Sequence, residues 1–299
     1  IIDSPSNPLF DRAVSGEYPP GSIFKPIVAA AGLAEGVITE HTSFESTGGI
    51  RVGQWFFSDW KAGGHGITDV RKAIAESVNT FFYYLGGGYN DFEGLGVNKI
   101  VEYARKFGLG SPTQVDLPVD SDGFLPTKEW KKENKDRQWY IGDTYHLSIG
   151  QGYVLVTPLQ VAQYTAAFAN KGKLFQPFLV DRVVSPQGQT VKDKESEAVE
   201  QGFIDERNME IVREGMRQAV TQGSCRRLYD LPVKAAGKTG TAQSSEDKEP
   251  HAWFTGFAPY EDPEITLTVI IKQGGGSSEV AVPVAKEILE WYFDKRNKK

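Results

Sequence analysis

The stretch EYPPGSIFKPIVAAAGL, residues 17–33, constrains the fold more than any other part of this chain. It predicts a helix over residues 22–35 with little polar interruption, and such a helix must be buried instead of lying on the surface. The chain has 299 residues, of which 39% are apolar and 12% aromatic, so it can supply a substantial core. The sequence therefore predicts a globular protein of one large or two fused domains.

The same helix carries a serine and a lysine at the spacing of a nucleophile and its base. Ser22 and Lys25 are three positions apart, which places them on one helix face, one turn along. A lysine can deprotonate a serine only where burial or nearby positive charge lowers its pKa, and the apolar helix provides that burial. Gly21 permits close approach of another segment, and the helix N-terminus offers backbone N–H groups to an oxyanion. This pattern indicates covalent catalysis by Ser22.

The Ser-x-x-Lys pattern alone is not specific, because it recurs at Ser58–Lys61 and at Ser245–Lys248. Two further motifs accompany the first occurrence. SVN, Ser77–Asn79, projects two polar side chains from an apolar helix that we expect to begin at a Thr68 cap. GKTGT, Gly237–Thr241, is a strand whose small residues leave its backbone open to an extended peptide. Each could be merely structural, but the three together favour a catalytic site.

Composition excludes several other classes of protein. A net charge of -6 and a pI near 5.4 argue against nucleic-acid binding, which needs clustered Lys and Arg. The single cysteine, Cys225, excludes an internal disulfide and a multi-cysteine metal site. No apolar run approaches the roughly 18 to 20 residues that span a bilayer.

Helical patterns dominate the first half of the chain, and short β-branched or aromatic runs dominate from about residue 230. We expect helices over 97–110 and over 157–172, the latter with Pro158 in its first turn and Gly172 after its end. The runs 233–243, 251–260 and 264–275 predict three neighbouring antiparallel strands, with a closing helix over 282–293 across them. The prediction is an α+β fold in which a helical subdomain, roughly 36–170, lies against a sheet region, 171–299.

The sequence resembles the transpeptidase domain of class B penicillin-binding proteins over nearly its whole length. The resemblance is carried by NPLFDRAVSGEYPPGSIFKP, ESVNTFFY, LSIGQGYVLVTPLQ, AGKTGTAQ and WFTGFAP, and it includes the grouping of three motifs typical of these enzymes. SDWKAGGHG and WYIGDT are more similar to the elongation-type branch, penicillin-binding protein 2. The resemblance implies an α/β, serine β-lactamase/transpeptidase-like fold, with an antiparallel sheet flanked by helices.

The resemblance also implies roles for the first two motifs. Ser22 would attack the carbonyl of the penultimate D-Ala of a peptidoglycan stem peptide while Lys25 takes its proton, releasing the terminal D-Ala. The amine of a second stem peptide would then resolve the acyl-enzyme. Ser77 would relay a proton to the leaving amine or the β-lactam nitrogen, and Asn79 would bond the substrate amide and hold Lys25.

For the third motif, the resemblance implies binding of the substrate's C-terminus. Lys238 would keep the pocket electropositive, Thr239 and Thr241 would bind the terminal carboxylate, and Gly240 would let the strand pair with substrate. The backbone N–H groups of Ser22 and Thr241 would form the oxyanion hole. No step needs a cofactor.

Some elongation-type members hold a zinc ion, and this chain keeps two of the matching residues, Asp59 and His65. The position of the zinc-binding cysteine is Val78 here, and Glu45 is only a loose candidate for a further carboxylate. Too few ligands remain for a closed zinc site, which needs four. We therefore expect no metal.

Other functions share this machinery. A serine β-lactamase of class A would need a glutamate that activates water, and Glu102, Glu129 and Glu133 lie outside a recognisable Glu-x-x-Leu-Asn context. A D,D-carboxypeptidase would differ only in giving the acyl group to water. A non-catalytic β-lactam sensor or peptidoglycan-binding module is the remaining alternative.

The family's domain includes a first helix and two strands before the matched region, together with a pedestal and a membrane anchor. We expect these upstream of Ile1, so the sheet should lack strands and leave an edge that invites pairing. The resemblance implies anchoring at the outer face of the bacterial cytoplasmic membrane, in the periplasm. It implies stem peptides, β-lactams, a SEDS-type glycosyltransferase and elongation-complex proteins as partners, but no nucleic acid.

Overall fold

The computed structural model describes residues 7–243 and 247–296. Its helices are α1 (Lys25–Ala34), α2 (Val70–Ala75), α3 (Asn79–Gly87), α4 (Gly96–Lys106), α5 (Lys128–Lys135), α6 (Ile141–Ser148), α7 (Pro158–Ala169), α8 (Glu206–Thr221) and α9 (Ser277–Arg296). Its strands are β1 (Ser43–Ser46), β2 (Gly49–Val52), β3 (Trp55–Ser58), β4 (Gly66–Asp69), β5 (Lys173–Phe175), β6 (Arg182–Val184), β7 (Thr190–Asp193), β8 (Ala198–Gln201), β9 (Ala236–Ala242), β10 (His251–Ala258) and β11 (Ile265–Ile271).

The apolar helix lies in the centre of the molecule, as its sequence predicts. A tight 3-10 turn, Gly21–Phe24, leads into α1, and every residue from Lys25 to Leu33 is buried. Helices α3, α4 and α8 surround α1, so it meets protein on several sides. Ser22 thus lies in the turn that precedes the N-terminus of α1, and Lys25 is the first residue of α1.

The helix predicted after Thr68 is broken into two pieces. Asp69, not Thr68, caps α2 by accepting a hydrogen bond of 2.8 Å from the Lys72 N–H, so the predicted cap was wrong by one residue. The break falls at residues 76–78, where Ser77 adopts a left-handed backbone with φ of 59°. Such a conformation is costly for a serine and persists only where its surroundings impose it. It frees the Ser77 carbonyl from helix bonding and makes it available to another group.

The three predicted antiparallel strands are confirmed. They form one sheet in the order β11-β10-β9, with Trp253 of β10 opposite Gly240 and Ile270. Trp253 and Phe254 are both buried, but on opposite faces of the sheet, because successive side chains alternate. Helix α9 covers the face of Phe254, and α7 packs on the strands from the side of the main core.

The division into a helical subdomain, roughly 36–170, and a sheet region, 171–299, stays a prediction, and both regions contain helices as well as strands. Region 36–170 also holds β1 paired with β4 and β2 paired with β3, and region 171–299 holds the long helix α8. Along the described residues the main sheet has three strands, with β11 and β9 outermost. Among the described helices, none has both the length and the apolar character needed to cross a membrane.

Candidate active site

The three sequence motifs meet at one cavity of about 390 Å³. Ser22 enters it from the 3-10 turn, Ser77 and Asn79 from the break before α3, and Thr239 and Thr241 from β9. Lys25 and Lys238 lie beneath this surface and are fully buried. The fold therefore brings together the residues that the sequence analysis singled out, although they are far apart in the chain.

Lys25 is held by the second motif. Its Nζ lies 2.8 Å from the Ser77 carbonyl oxygen and 2.7 Å from Asn79 Oδ1, and 3.2 Å from Ser77 Oγ. The two carbonyl oxygens can only accept, so the amine must donate to both. A neutral amine has two N–H bonds and one lone pair, so these contacts leave the lone pair for the proton of a hydroxyl group.

Both buried lysines have lowered pKa values. Burial lowers the pKa of Lys25 well below 10.5, the charge of Lys238 lowers it further, and Asp59 partly opposes both. Burial also lowers the pKa of Lys238, but only to about 8. The lowered pKa of Lys25 favours an amine that can accept a proton, while Lys238, whose pKa of about 8 lies above neutral pH, stays mostly positive at pH 7.

Asp59 fixes the SVN motif, Ser77–Asn79, through hydrogen bonds to the first residues of α3. Its carboxylate accepts bonds of 2.8 Å from both the N–H and the hydroxyl of Thr80, and of 3.2 Å from the Asn79 N–H. Burial would raise the pKa of Asp59, but the Thr80 bonds and the Lys25 charge bring it below 3.8. Asp59 thus caps α3 from a distant part of the chain and fixes the position of Asn79.

Replacing Asp59 by alanine should lower the free energy of unfolding by about 2–4 kcal/mol, since a helix cap is lost and buried N–H groups are left unpaired. Acylation by a β-lactam should slow by about tenfold or more, because Asn79 and Lys25 lose their geometry. Asp69→Ala is the matched control: it removes the cap of α2 and should cost about 1 kcal/mol without slowing acylation. Chemical unfolding and acylation rates of both variants measure this, and equal acylation in the two would contradict the role of Asp59.

Two glycines allow the turn and β9 to touch. A Cβ on Gly21, which has φ of 57°, would lie 2.7 Å from the Thr241 carbonyl oxygen. A Cβ on Gly240 would lie 2.8 Å from the Pro20 oxygen and 3.0 Å from the Ile23 nitrogen. Both N–H and C=O of a strand residue point to the same side, so the Thr241 N–H also faces the turn that holds Ser22. Gly240 therefore serves this internal contact, besides any pairing with substrate.

Gly240→Ala should push β9 away from the turn and slow acylation by about 100-fold, because the Thr241 N–H moves away from Ser22. Gly237→Ala is the matched control on the same strand: its Cβ would meet the Phe254 ring at 2.6 Å, away from the turn. Both changes should lower the melting temperature, whereas only Gly240→Ala should slow acylation severely. Stopped-flow acylation beside thermal unfolding tests this, and an equal slowing in both would contradict it.

The residues at the candidate metal position do not fit a zinc site. His65 Nε2 lies 3.7 Å from Asp59 Oδ1, while His65 Nδ1 lies 2.7 Å from a Glu76 oxygen. The oxygens of Asp59 already accept hydrogen bonds, Val78 offers no ligand, and Glu45 is exposed on β1. Over residues 7–243 and 247–296, no group of three or more His, Cys, Asp or Glu side chains could hold a metal ion.

The other Ser-x-x-Lys patterns do not form comparable pairs. Lys61 is exposed, so nothing there removes the lysine from water as burial does for Lys25. The pattern at Ser245–Lys248 lies partly outside the described residues.

The cavity is also lined by residues that no sequence motif predicted, among them Trp60, Gln151, Ser224 and Ser277. Ser277 is the first residue of α9, which begins five residues before the helix predicted from residue 282. Its signal was a serine directly after the glycine run 274–276, a pattern typical of a helix start. Gln151 and Trp60 carry no such signal.

The chain matches known proteins over nearly its whole length. The family model described as penicillin binding protein transpeptidase domain matches residues 3–290. Peptidoglycan D,D-transpeptidase MrdA of Haemophilus influenzae is 34% identical over 99% of this chain and 47% of its own length, so the chain spans about half of that relative.

Solved structures of penicillin-binding protein 2 superpose closely. The protein of Pseudomonas aeruginosa, in complex with WCK 5153, is 35% identical with a TM-score of 0.85, covering 97% of this chain and 64% of that one. The protein of Helicobacter pylori, in complex with MreC, is 32% identical with a TM-score of 0.85, covering 99% and 53%. These matches confirm the predicted transpeptidase-like fold and the likeness to penicillin-binding protein 2. With its motifs gathered at one cavity and its match over residues 3–290, the chain belongs to the penicillin-binding protein transpeptidase domain family.

Proposed function

We propose that this chain is the catalytic domain of a peptidoglycan D,D-transpeptidase that acts through an acyl-enzyme on Ser22. The observation that carries the proposal is the state of Lys25: it is fully buried, it donates to two carbonyl oxygens, and it lies beneath the cavity that Ser22 enters. Burial lowers the pKa of Lys25, and a buried amine with a lowered pKa can take the proton of a serine.

In the acylation step, the lone pair of Lys25 takes the proton of Ser22, and Ser22 Oγ bonds to the carbonyl carbon of the penultimate D-Ala. The backbone N–H groups of Ser22 and Thr241 stabilise the resulting oxyanion. When this intermediate collapses, the carbon–nitrogen bond to the terminal D-Ala breaks. Ser77 Oγ, 3.2 Å from Lys25 Nζ, passes the proton from Lys25 to the departing nitrogen.

In the second step, the side-chain amine of another stem peptide attacks the ester carbon and loses a proton to Lys25. The bond to Ser22 breaks, Ser22 recovers its proton, and a new amide bond joins the two peptides. Along the described residues β9 is an outermost strand of the sheet, so the part of its edge that does not touch the turn can pair with the extended donor peptide.

The electrostatics of the cavity favour a ligand with a free carboxylate. Lys238 is a buried residue of β9 with a pKa of about 8, so it stays mostly positive at neutral pH. Its neighbours Thr239 and Thr241 line the cavity. The same groups would bind the carboxylate of a β-lactam, which would acylate Ser22 as the peptide does.

The likeness to penicillin-binding protein 2 supports a role in cell-wall elongation. The Helicobacter pylori protein has been solved with MreC, and another related structure belongs to a peptidoglycan synthase complex. We extend this to the present chain and propose elongation-complex proteins, including a SEDS-type glycosyltransferase, as partners. We also propose that the full-length protein is anchored at the outer face of the cytoplasmic membrane.

The test follows the acyl-enzyme over time. With benzylpenicillin, intact mass should show one adduct that persists for hours. With a stem pentapeptide, free D-Ala should appear, and adding an amine acceptor should yield the cross-linked amide. Rapid loss of the penicillin adduct with hydrolysed drug would indicate a β-lactamase instead, and D-Ala release without amide formation a carboxypeptidase.

Stable acylation without any reaction of the peptide would indicate a sensor.

The structure gives no support to the glutamates considered for a β-lactamase. Glu102 pairs with Lys99 and Lys106 on α4, and Glu129 and Glu133 lie exposed on α5 and outside the lining of the cavity that holds Ser22.

A further inference from the structure

The Thr241 hydroxyl, which the proposed function uses to bind a carboxylate, is already engaged by another side chain. Thr241 Oγ1 lies 2.7 Å from Ser277 Oγ, and Ser277 Oγ donates to the Gly240 carbonyl oxygen at 2.6 Å. A carbonyl oxygen can only accept, so the single hydroxyl proton of Ser277 belongs to that bond. Thr241 must therefore donate its own proton to Ser277.

An anionic ligand would reverse this chain of hydrogen bonds. A hydrogen bond to a carboxylate is roughly twice as strong as one between neutral groups. The Thr241 hydroxyl should therefore donate its hydrogen bond to a bound carboxylate instead of to Ser277. Thr241 Oγ1 then presents a lone pair to Ser277, whose proton can turn from Gly240 to Thr241. The oxygen positions need not change, because a separation of 2.7 Å suits a hydroxyl–hydroxyl bond in either direction.

Ser277 is well placed to act on Thr241 in this way. It is 4% exposed, and it is the first residue of α9, a helix that packs along the main sheet. Thr241 itself lies on the exposed rim of the cavity. A buried, anchored hydroxyl thus fixes the orientation of an exposed one.

Building on the proposed function, we propose that Ser277 is a positioning residue that makes Thr241 a donor to ligands with a free carboxylate. The ligand class is a peptide or β-lactam that ends in an anionic carboxyl group. Ser277 should contribute nothing to an ester of the same ligand, because an uncharged ester does not draw the Thr241 proton to the same degree.

The experiment compares acylation by benzylpenicillin with acylation by its methyl ester, using intact mass. In Ser277→Ala, the acid-to-ester ratio of the second-order rate constants should fall by about tenfold, the effect of one hydrogen bond to a group that bonds a charge. The ester rate should stay within about twofold of wild type. Ser277→Thr keeps the hydroxyl and should restore most of the ratio.

Two further variants separate positioning from stability. Ser278→Ala removes a neighbouring hydroxyl that donates to the Ser224 carbonyl oxygen at 3.0 Å, so it should lower stability at the start of α9 but keep the wild-type ratio. In a Thr241→Val background, Ser277→Ala should change the ratio little further, because its effect passes through Thr241.

The possible outcomes are distinct. Equal loss with acid and ester in Ser277→Ala, or an unchanged ratio, would overturn the role of Ser277 while leaving the proposed function intact. Failure of the wild-type protein to be acylated by either compound would overturn the proposed function, and the inference with it.

Discussion

Replacing Ser22 by alanine is expected to abolish covalent labelling by benzylpenicillin, with a loss of acylation rate on the order of 10³-fold or more. The alanine side chain has no oxygen that could bond to the acyl carbon, whereas Lys25 and the second motif keep their contacts with each other. Ser22 is only half-buried at the cavity, so its loss should leave the fold and the melting temperature nearly unchanged. Intact mass after incubation with the drug measures the adduct.

Ser58→Ala is the matched control for Ser22→Ala, because Ser58 belongs to the same sequence pattern with Lys61. Lys61 is exposed, and Ser58 lies at the end of β3. This variant should be labelled as fast as the wild-type protein. An adduct on Ser22→Ala that maps to another side chain would refute Ser22 as the nucleophile.

Much of the site could be predicted because buried helices and strands carry apolar residues at a characteristic spacing in the sequence. A lysine inside the apolar run 22–35 can only be buried, and a buried lysine near a serine indicates a lowered pKa and a chemical role. The three strands were predictable for the same reason, since β-branched and aromatic runs between turn residues are typical of strands. These are local properties, which a single stretch of sequence records.

Contacts between distant segments could not be predicted in this way. The helical pattern continues through residues 76–78, yet the structure breaks there because Asp59, about 20 residues earlier, caps the second piece. The left-handed Ser77 has no local sequence signal, since serine has no special preference for that conformation. The bond between Ser277 and Thr241 likewise joins the start of α9 to β9, and no motif links them.

The rate of acylation by benzylpenicillin should follow a bell-shaped pH profile. Below the lowered pKa of Lys25 the amine is protonated and cannot accept the Ser22 proton, so the rate should rise as pH increases through that value. Above about pH 8, Lys238 loses the charge that attracts the ligand's carboxylate, so the rate should fall again. Stability should rise with pH between these lowered values and 10.5, because the unfolded chain then binds more protons than the folded one.

Lys25→Met should lower the acylation rate by on the order of 10³-fold and remove the rising limb of this profile, leaving the fall near pH 8 that Lys238 causes. Methionine nearly matches the length of lysine without its charge, so burial no longer carries an ionisation cost, although the Ser77 and Asn79 oxygens lose their donor. The gain of stability with rising pH should therefore be smaller than in the wild-type protein. Lys61→Met, which changes an exposed lysine, should keep the whole bell. A rising limb that survives in Lys25→Met would assign the base to another group, because deprotonation of Lys238 lowers the rate as pH increases and cannot produce a rise.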